Sequence, residues 1–298
     1  MGIEYWDQSF GNTPAVAFSN IPPAAGNGGK VLRVSGAGIG RDIWLESNGT
    51  IWRPLNGSAV LYARNLNPIT IQNLTEQTAE TLGPFPGGLV RAGMRVEINT
   101  DFDAGGLGTG SRVIRHYIGA AGGSTQLIGY FWNSFSATEA HGEMKSFTEA
   151  LADTNSKHRA GPSNASGGGL ALANGYFIRG GGGFVRLFPT VDFSQPWELR
   201  VSMQSAAETA VTITGATWVG GVATFTTSAE HTLAVGDKTT VALVTPTDWN
   251  DTYIVTAVPD STHFSVAKPV EPAAYTSGGN SSRISNMILN AVTVTLRG

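Results

Sequence analysis

An all-β fold, a jelly-roll-like antiparallel β-sandwich with an N-terminal arm and meander and an inserted small β-domain, is predicted for the 298-residue chain by three observations. Apolar and polar residues alternate with period two in several separate segments, the mark of strands with one face on a core and one toward water. Turn signals such as Asn48-Gly49, Asn56-Gly57 and Pro86-Gly87-Gly88 punctuate those segments at short spacing. Only 14% of the residues are charged while 39 are Gly and 14 are Pro, a balance suited to many short strands joined by tight turns.

Residues 1–30 read as an extended arm. Tyr5, Trp6 and Phe10 stand in a polar setting and are followed by Pro22-Pro23 and Gly26-Asn27-Gly28-Gly29. A segment this poor in apolar residues cannot build its own core. Its aromatics are candidates for docking on a neighbouring subunit, the plainer reading being a frayed terminus.

Residues 31–64 form a predicted small β-meander, with strands at Lys30-Val-Leu-Arg-Val34, Asp42-Ile-Trp-Leu-Glu46, Thr50-Ile-Trp-Arg53 and Ala59-Val-Leu-Tyr62. The two Asn-Gly pairs between them supply the positive φ angles that two-residue hairpin loops need.

The body is assigned to residues 65–208 together with 282–298. Arg95-Val-Glu-Ile-Asn99 and Arg112-Val-Ile-Arg-His-Tyr-Ile118 alternate, and residues 197–204 place Trp197, Leu199, Val201 and Met203 on one face and Glu198, Arg200, Ser202 and Gln204 on the other. One helix is an open alternative, because Met144, Phe147 and Leu151 follow i, i+3, i+7 spacing, although Gly142 weakens it and an ordered loop competes.

Residues 209–281 change character. A Thr/Val vocabulary with regular turns, including Val222-Ala-Thr-Phe-Thr226, Thr239-Thr-Val-Ala-Leu243 and Tyr253-Ile-Val-Thr-Ala-Val258, predicts an independent small β-domain. Residues 286–296 then resume an amphipathic strand with Ile288, Val292, Val294 and Leu296 on one face. Antiparallel pairing of residues 197–204 with 286–296 is expected, so that the small domain leaves and re-enters at adjacent points.

Several function classes lose support at this level. The formal net charge is -3, with no basic run, so the electrostatic footprint of a nucleic-acid binder is missing. There is no cysteine, which excludes disulfides, thiolate metal sites and a cysteine nucleophile. The start MGIEYWDQSFGNTP lacks a basic segment followed by an apolar core, and no stretch reaches the roughly 18 apolar residues of a membrane-spanning helix, so the expectation is a chain made in the cytoplasm without membrane insertion.

Candidate chemistry is sparse. Gly36-Ala-Gly-Ile-Gly40 has the glycines of a phosphate loop but no helical pattern after it, and reads as a turn between strands. Asp101 and Asp103 are carboxylates available to a hard cation, but without a third nearby acid they read as part of a solvated loop. The five histidines, His116, His141, His158, His231 and His263, show no metal-ligand spacing. No pair of acids stands out for glycan cleavage. No catalytic residue, metal or cofactor is therefore predicted. Tyr130, Phe131, Trp132 and Trp249 are candidates for stacking against sugars, set against the plainer reading as core or interface.

Three stretches carry resemblances. Gly29-Lys-Val-Leu-Arg-Val34, Leu45-Glu-Ser-Asn-Gly-Thr50 and Trp52-Arg-Pro-Leu-Asn-Gly57 resemble the N-terminal region of many tailed-bacteriophage fibre proteins. Leu82-Gly-Pro-Phe-Pro-Gly-Gly-Leu89, Met94-Arg-Val-Glu-Ile98 and Met287-Ile-Leu-Asn-Ala-Val-Thr-Val294 resemble jelly-roll domains of phage fibres and decoration proteins, a likeness of pattern that leaves Gly180 to Gly183 unmatched. His231-Thr-Leu-Ala-Val-Gly-Asp237, Trp249-Asn-Asp-Thr-Tyr-Ile-Val255 and Thr262-His-Phe-Ser-Val266 are similar to small β-modules inserted in phage structural proteins, the most specific of the three. The resemblance implies a non-enzymatic virion protein, a homotrimer in contact with other virion proteins and host surface glycan: a tail fibre or spike, with a head decoration protein or head fibre as the alternative and a glycan-degrading tailspike behind both. In that setting Tyr5, Trp6 and Phe10 become candidates for virion attachment, His231 a turn-packing side chain, and Tyr130, Trp132 and Trp249 candidates for glycan contact.

Overall fold

The computed structural model describes residues 15–17, 20–35, 42–64, 67–105, 112–133, 139–152, 155–160, 169–172, 176–178, 185–187 and 191–298. The chain is all-β, as the alternation predicts.

The N-terminal sheet has the order β1-β2-β3-β4, from Val16–Ala17, Val31–Ser35, Ile43–Ser47 and Trp52–Pro54, with β1 parallel to β2 and the rest antiparallel. Alternation buries Leu32, Val34, Ile43, Leu45 and Trp52. The turn into β4 is held by Asn48, whose Oδ1 accepts from the backbone N–H groups of Thr50 and Ile51, both at 2.9 Å. Residues 20–30, which the sequence places in the extended arm, lie against this sheet. Trp52 donates its indole N–H to the Pro22 carbonyl at 2.7 Å and Ser47 its hydroxyl to the Ala24 carbonyl at 3.1 Å, so the Pro-Pro segment packs on the sheet.

The meander also ends early. Asn56 and Gly57, with φ of 59° and 78°, turn the chain away after β4. The strand that follows, β5 (Ser58–Arg64), then leaves the N-terminal sheet and joins the body.

The body is a two-sheet sandwich. One sheet contains β6 (Ile69–Ile71), β8 (Arg95–Gly105), β11 (Glu139–Ala152), β12 (Asn155–Ala160), β15 (Val185–Leu187) and β23 (Asn286–Arg297), in the order β15-β12-β11-β8-β23-β5 with β6 also on β23. The other contains β7 (Gln77–Phe85), β9 (Arg112–Ala120), β10 (Thr125–Asn133), β13 (Gly169–Leu172), β14 (Tyr176–Ile178) and β16 (Trp197–Gln204), in the order β14-β13-β10-β9-β16-β7. Val96, Ile98 and Phe102 of β8 and Val292, Val294 and Leu296 of β23 share one core with Ile114 and Ile118 of β9 and Leu199, Val201 and Met203 of β16. In-sheet hairpins (β9–β10, β11–β12, β13–β14) alternate with connections that cross between sheets, the jelly-roll-like feature of the architecture.

Two expectations fail here. The stretch with helical spacing is β11, paired with β8 along its length. Met144, Ser146, Thr148 and Ala150 are buried while Lys145, Phe147 and Glu149 between them are half-buried, so period two prevails over the three residues that mimic a helix face. Strands β16 and β23 do not pair: β16 lies between β9 and β7, and β23 in the opposite sheet between β8 and β5. Both face the one core, so each carries an apolar face toward the other across the sandwich. Their ends still meet, because Ala207 and Ile284 form an antiparallel bridge and Ser285 N–H donates to the Ala206 carbonyl at 2.9 Å.

Between those ends runs a closed barrel of β17 (Val211–Val219), β18 (Val222–Thr227), β19 (Lys238–Thr245), β20 (Asp251–Asp260), β21 (His263–Ala267) and β22 (Ser277–Arg283), in the order β17-β18-β21-β20-β19-β22. It has its own core of Ile213, Phe225, Val241, Trp249, Tyr253, Phe264 and Val266, among others. Closure removes free strand edges. The β17–β18 hairpin turns at Gly220-Gly221, both at positive φ (56° and 92°), as a two-residue loop requires.

Candidate contact surfaces

Tyr5, Trp6 and Phe10 lie outside the described residues, as does Gly36–Gly40. Tyr130 and Trp132 are on β10, in register with Arg115 and Val113 of β9 and with Ala171 and Gly169 of β13. Trp249 is not a surface platform. It is 2% exposed, meets Phe225 edge-on with ring centroids 5.7 Å apart, and donates its indole N–H to the Ala273 carbonyl at 2.9 Å. A β-barrel this small needs a large ring at its centre, and the aromatic at that place in the module serves the core.

The other motif residues of the barrel are structural too. His231 accepts the Leu233 N–H on Nδ1 at 3.3 Å and sets its ring edge-on against Phe264, as the turn-packing reading has it. Asp237 Oδ2 accepts the Ala234 N–H at 2.8 Å and closes the same turn. Asn250 clamps β19 by accepting the Val244 N–H at 2.9 Å and donating to the Val244 carbonyl at 3.2 Å.

Asp101 and Asp103 are on strand β8 and not in a loop. Both accept from the Asn290 amide, at 3.3 and 2.8 Å. Among the described residues no three His, Asp or Glu side chains converge in a way that holds a metal ion, and no helix is long and apolar enough to cross a membrane.

What the fold does assemble is a polar cluster on the outer face of the β14-β13-β10-β9-β16-β7 sheet. Because Ile114, His116 and Ile118 point inward on β9, Arg115 and Tyr117 point outward; on β16 the same rule puts Arg200 outward beside Tyr117, its register partner. Tyr117 donates its hydroxyl to Glu76 Oε1 at 2.7 Å, Ser202 donates to the same oxygen, and Arg115 lies 3.2 Å from Oε2. Burial pushes the Glu76 carboxyl up, but the bonds from Ser202 and Tyr117 and the charges of Arg115 and Arg200 outweigh it and hold the group below the usual carboxylate range. Burial and the Glu76 bond push Tyr117 up. Arg200 does not reach Glu76 with a hydrogen bond; its guanidinium carbon lies over the Tyr117 ring, 4.3 Å from the centroid.

A second cluster ties the barrel to the body. Arg112, 1% exposed on β9, donates through Nε to Ser285 Oγ at 2.9 Å. Glu208, 6% exposed, takes Arg283 at 3.4 Å, and Arg283 also meets Asp237 at 2.8 Å. Burial pushes the Glu208 carboxyl up despite Arg283.

Comparison with known proteins gives no family: no family model matches the chain, and no curated protein is similar to it. Among solved structures, the CBM2 module of the evolved Dit of Lactobacillus casei BL23 phage J-1 aligns over 78% of this chain and 97% of that one, at 9% identity and a TM-score of 0.14. A superposition of that quality transfers neither fold nor role.

The exposed apolar side chains of the described residues are unevenly spread. Among the described residues the large exposed hydrophobics are Val60, Leu74, Val219, Val222, Val235, Leu243, Ile254 and Val270, and all but the first two are on the barrel. Leu243 is 74% exposed and has a φ of 61°, a left-handed conformation rarely taken by a branched side chain. Sequence reading missed both this distribution and the Glu76 cluster. Leu243 stands inside an ordinary Thr/Val run, and Glu76 is far in sequence from Arg115 and Ser202.

Proposed function

We propose that the chain is a structural, non-enzymatic protein of a tailed-bacteriophage particle, a homotrimeric tail fibre or spike that meets other virion proteins through its N-terminal part and the host surface through its outer sheets and inserted barrel. The observation that carries this reading is that, among the described residues, most of the large exposed apolar side chains are on the barrel, with Val219, Val235, Leu243 and Val270 each 65% exposed or more. Isolated surface hydrophobics are ordinary, but their concentration on one module marks it as a contact-maker. The three sequence resemblances to phage fibre, jelly-roll and module patterns supply the class of particle. Their motif residues in the barrel, His231, Asp237, Trp249, Asn250, Tyr253 and Phe264, are occupied in turns and core packing, which fits a module kept for shape.

The test is direct. Sedimentation of the purified chain at micromolar concentration is expected to give a trimer, and a stable monomer overturns the assembly. Binding to host cells supports the tail fibre or spike; binding to fibreless capsids instead moves the protein to the head as a decoration protein or head fibre. Release of sugar from host polysaccharide by the pure protein overturns the non-enzymatic reading.

A further inference from the structure

We propose that the tip of the β17–β18 hairpin, Val219-Gly220-Gly221-Val222, is a knob that seats in a cleft on the barrel of a second copy of this chain, between β20 and the 267–270 segment, so that three barrels close into a ring. That contact rests on the homotrimer reading above and gives the trimer its surfaces at the barrel.

The cleft exists because β20 changes partners along its length. Residues 251–254 pair with β19, and only from Val255 onward does β20 pair with β21. The chain leaving β21 turns to its opposite neighbour: Ala267 is in register with Val222 of β18, and Lys268 N–H donates to the Gly221 carbonyl at 2.8 Å. The two segments diverge around a cleft of about 660 Å³, walled by Thr252, Ile254 and Thr256 on one side and Ala267, Pro269 and Val270 on the other. Ile254 and Val270, 57% and 76% exposed, give it apolar walls open to the outside.

The chemistry of the cleft selects an uncharged apolar occupant. Its lining holds one charge of each sign, Lys268 and Asp251, and both are engaged: Lys268 Nζ donates to Tyr253 Oη at 3.3 Å, and Asp251 Oδ1 accepts the Thr252 N–H at 2.7 Å. The hairpin matches it. No ionisable side chain occurs from Val211 to Thr227, and at the tip Val219 is 76% and Val222 43% exposed. Depletion of charge around apolar side chains is the compositional mark of an interface core, and two uncharged surfaces of identical copies meet without like-charge repulsion. The knob is also held ready, because Trp218 donates its indole N–H to the Lys268 carbonyl at 2.8 Å and braces the tip before any contact forms. It cannot fill the cleft of its own barrel: the Val222–Ala267 pairing and the Gly221–Lys268 bond fix it on the far side of the 267–270 segment. Only another copy can bring a tip to the open side. Knob and cleft are different surfaces that adjoin on one barrel, so the contact is head-to-tail, the kind that closes into a ring about a rotation axis.

The chain has no cysteine, so introduced thiols report the contact without interference. Full-length Val219→Cys and Val270→Cys are co-expressed and oxidised, and the wild type and further variants are sedimented at micromolar concentration. The wild type is expected to be a trimer, and the co-expressed pair to give a disulfide-linked dimer that neither variant gives alone. Val219→Asp and Ile254→Asp, both at exposed positions outside the barrel core, are each expected to weaken association at least about tenfold while keeping the barrel folded by hydrogen exchange. Leu243→Asp, equally exposed but not part of the cleft, is expected to leave association unchanged. A wild-type trimer that yields no mixed disulfide and survives both aspartates overturns this contact and leaves the trimer on other surfaces; a wild-type monomer overturns trimer and contact together. A disulfide formed by Val219→Cys alone, or a loss of association in Leu243→Asp equal to that in Ile254→Asp, also overturns it. An Ile254→Asp protein that stays trimeric but no longer binds host cells or capsids assigns the cleft to a foreign partner and overturns the self-contact.

Discussion

His116 Nδ1 lies 2.9 Å from Ser146 Oγ and so joins the two sheets of the sandwich through a fully buried imidazole. The other ring nitrogen lies 3.1 Å from Thr100 Oγ1, whose hydroxyl donates to the Met144 carbonyl at 3.3 Å. That leaves Thr100 as the acceptor of the Nε2 hydrogen and Ser146 as the donor to Nδ1, a neutral tautomer with both nitrogens satisfied. Burial pushes the His116 pKa down from 6.5 to about 3.

Acid is therefore expected to destabilise the sandwich through this residue. In the unfolded chain the imidazole takes up a proton as the pH falls below 6.5, whereas the folded one stays neutral down to about 3. The stability it confers is present above pH 6.5 and is lost progressively toward pH 3, amounting to roughly 3 kcal/mol between pH 7 and pH 4. Urea titrations at the two pH values are expected to show that loss, and His116→Gln to shrink the difference by a similar amount while costing stability at pH 7. A variant with the wild-type pH slope sinks the assignment.

Glu97 has a comparable place on the outer side of the other sheet. Its side chain is 6% exposed and receives Arg297 at 2.5 Å, Arg95 at 2.8 Å and Lys145 at 3.1 Å. Burial raises its pKa, but the bonds from Arg297 and Lys145 and the neighbouring charges outweigh that and hold it low. Its contribution is present above the ordinary carboxylate value and fades as the pH falls through the lowered one. Glu97→Gln leaves three half-exposed cations around a neutral amide, and its expected cost is about 1 to 2 kcal/mol at pH 7 in low salt, discounted for screening. Raising the salt is expected to narrow the gap from wild type; a gap unchanged by salt and pH rules out the electrostatic origin.

Much of this architecture is legible in the sequence, and the failures are instructive. Alternation in residues 197–204 and 286–296 gives two strands, although a bulge after Leu289 puts Met287 and Leu289, not Ile288, on the buried face with Val292, Val294 and Leu296; period two cannot say whether two such faces lie side by side in one sheet or look at each other across a core. The Thr/Val vocabulary covers the strands that close into the barrel, while the pull of Asn56 and Gly57 on the course of β5 depends on backbone angles that no alternation encodes. For the candidate site, Arg200 is recognisable as an outward residue of β16. Its stack on Tyr117 and the engagement of Glu76 arise only when β7, β9 and β16 are placed in register. Trp249 looked like a ligand platform because composition cannot distinguish an exposed ring from one at the centre of a barrel.

The burial of Trp249 gives a sharp expectation. Trp249→Phe keeps an aromatic ring but removes the 2.9 Å bond from Nε1 to the Ala273 carbonyl and part of the ring volume, at a cost of about 1 to 2 kcal/mol. Differential scanning calorimetry is expected to show a lower transition temperature. Binding to cells or to oligosaccharides is expected to be unchanged, and a selective loss of sugar binding in the folded variant contradicts the core role.

Gly279 sets the tightest local requirement in the barrel. It holds a φ of 111° on β22, and a Cβ built there runs into the Val244 side chain and contacts Ile213 at 3.4 Å. Val244 and Ile213 are both 1% exposed and belong to the barrel core, so neither can swing out toward solvent to make room. Gly279→Ala therefore combines a backbone conformation disfavoured for any residue with a Cβ with overpacking of a closed barrel, and is expected to cost roughly 2 to 4 kcal/mol. Because the barrel keeps its own core, the loss should fall on barrel amides in hydrogen exchange, leaving the protection of β8 and β16 in the sandwich near wild type. Equal loss of protection in both cores is the outcome that denies the barrel its separate stability.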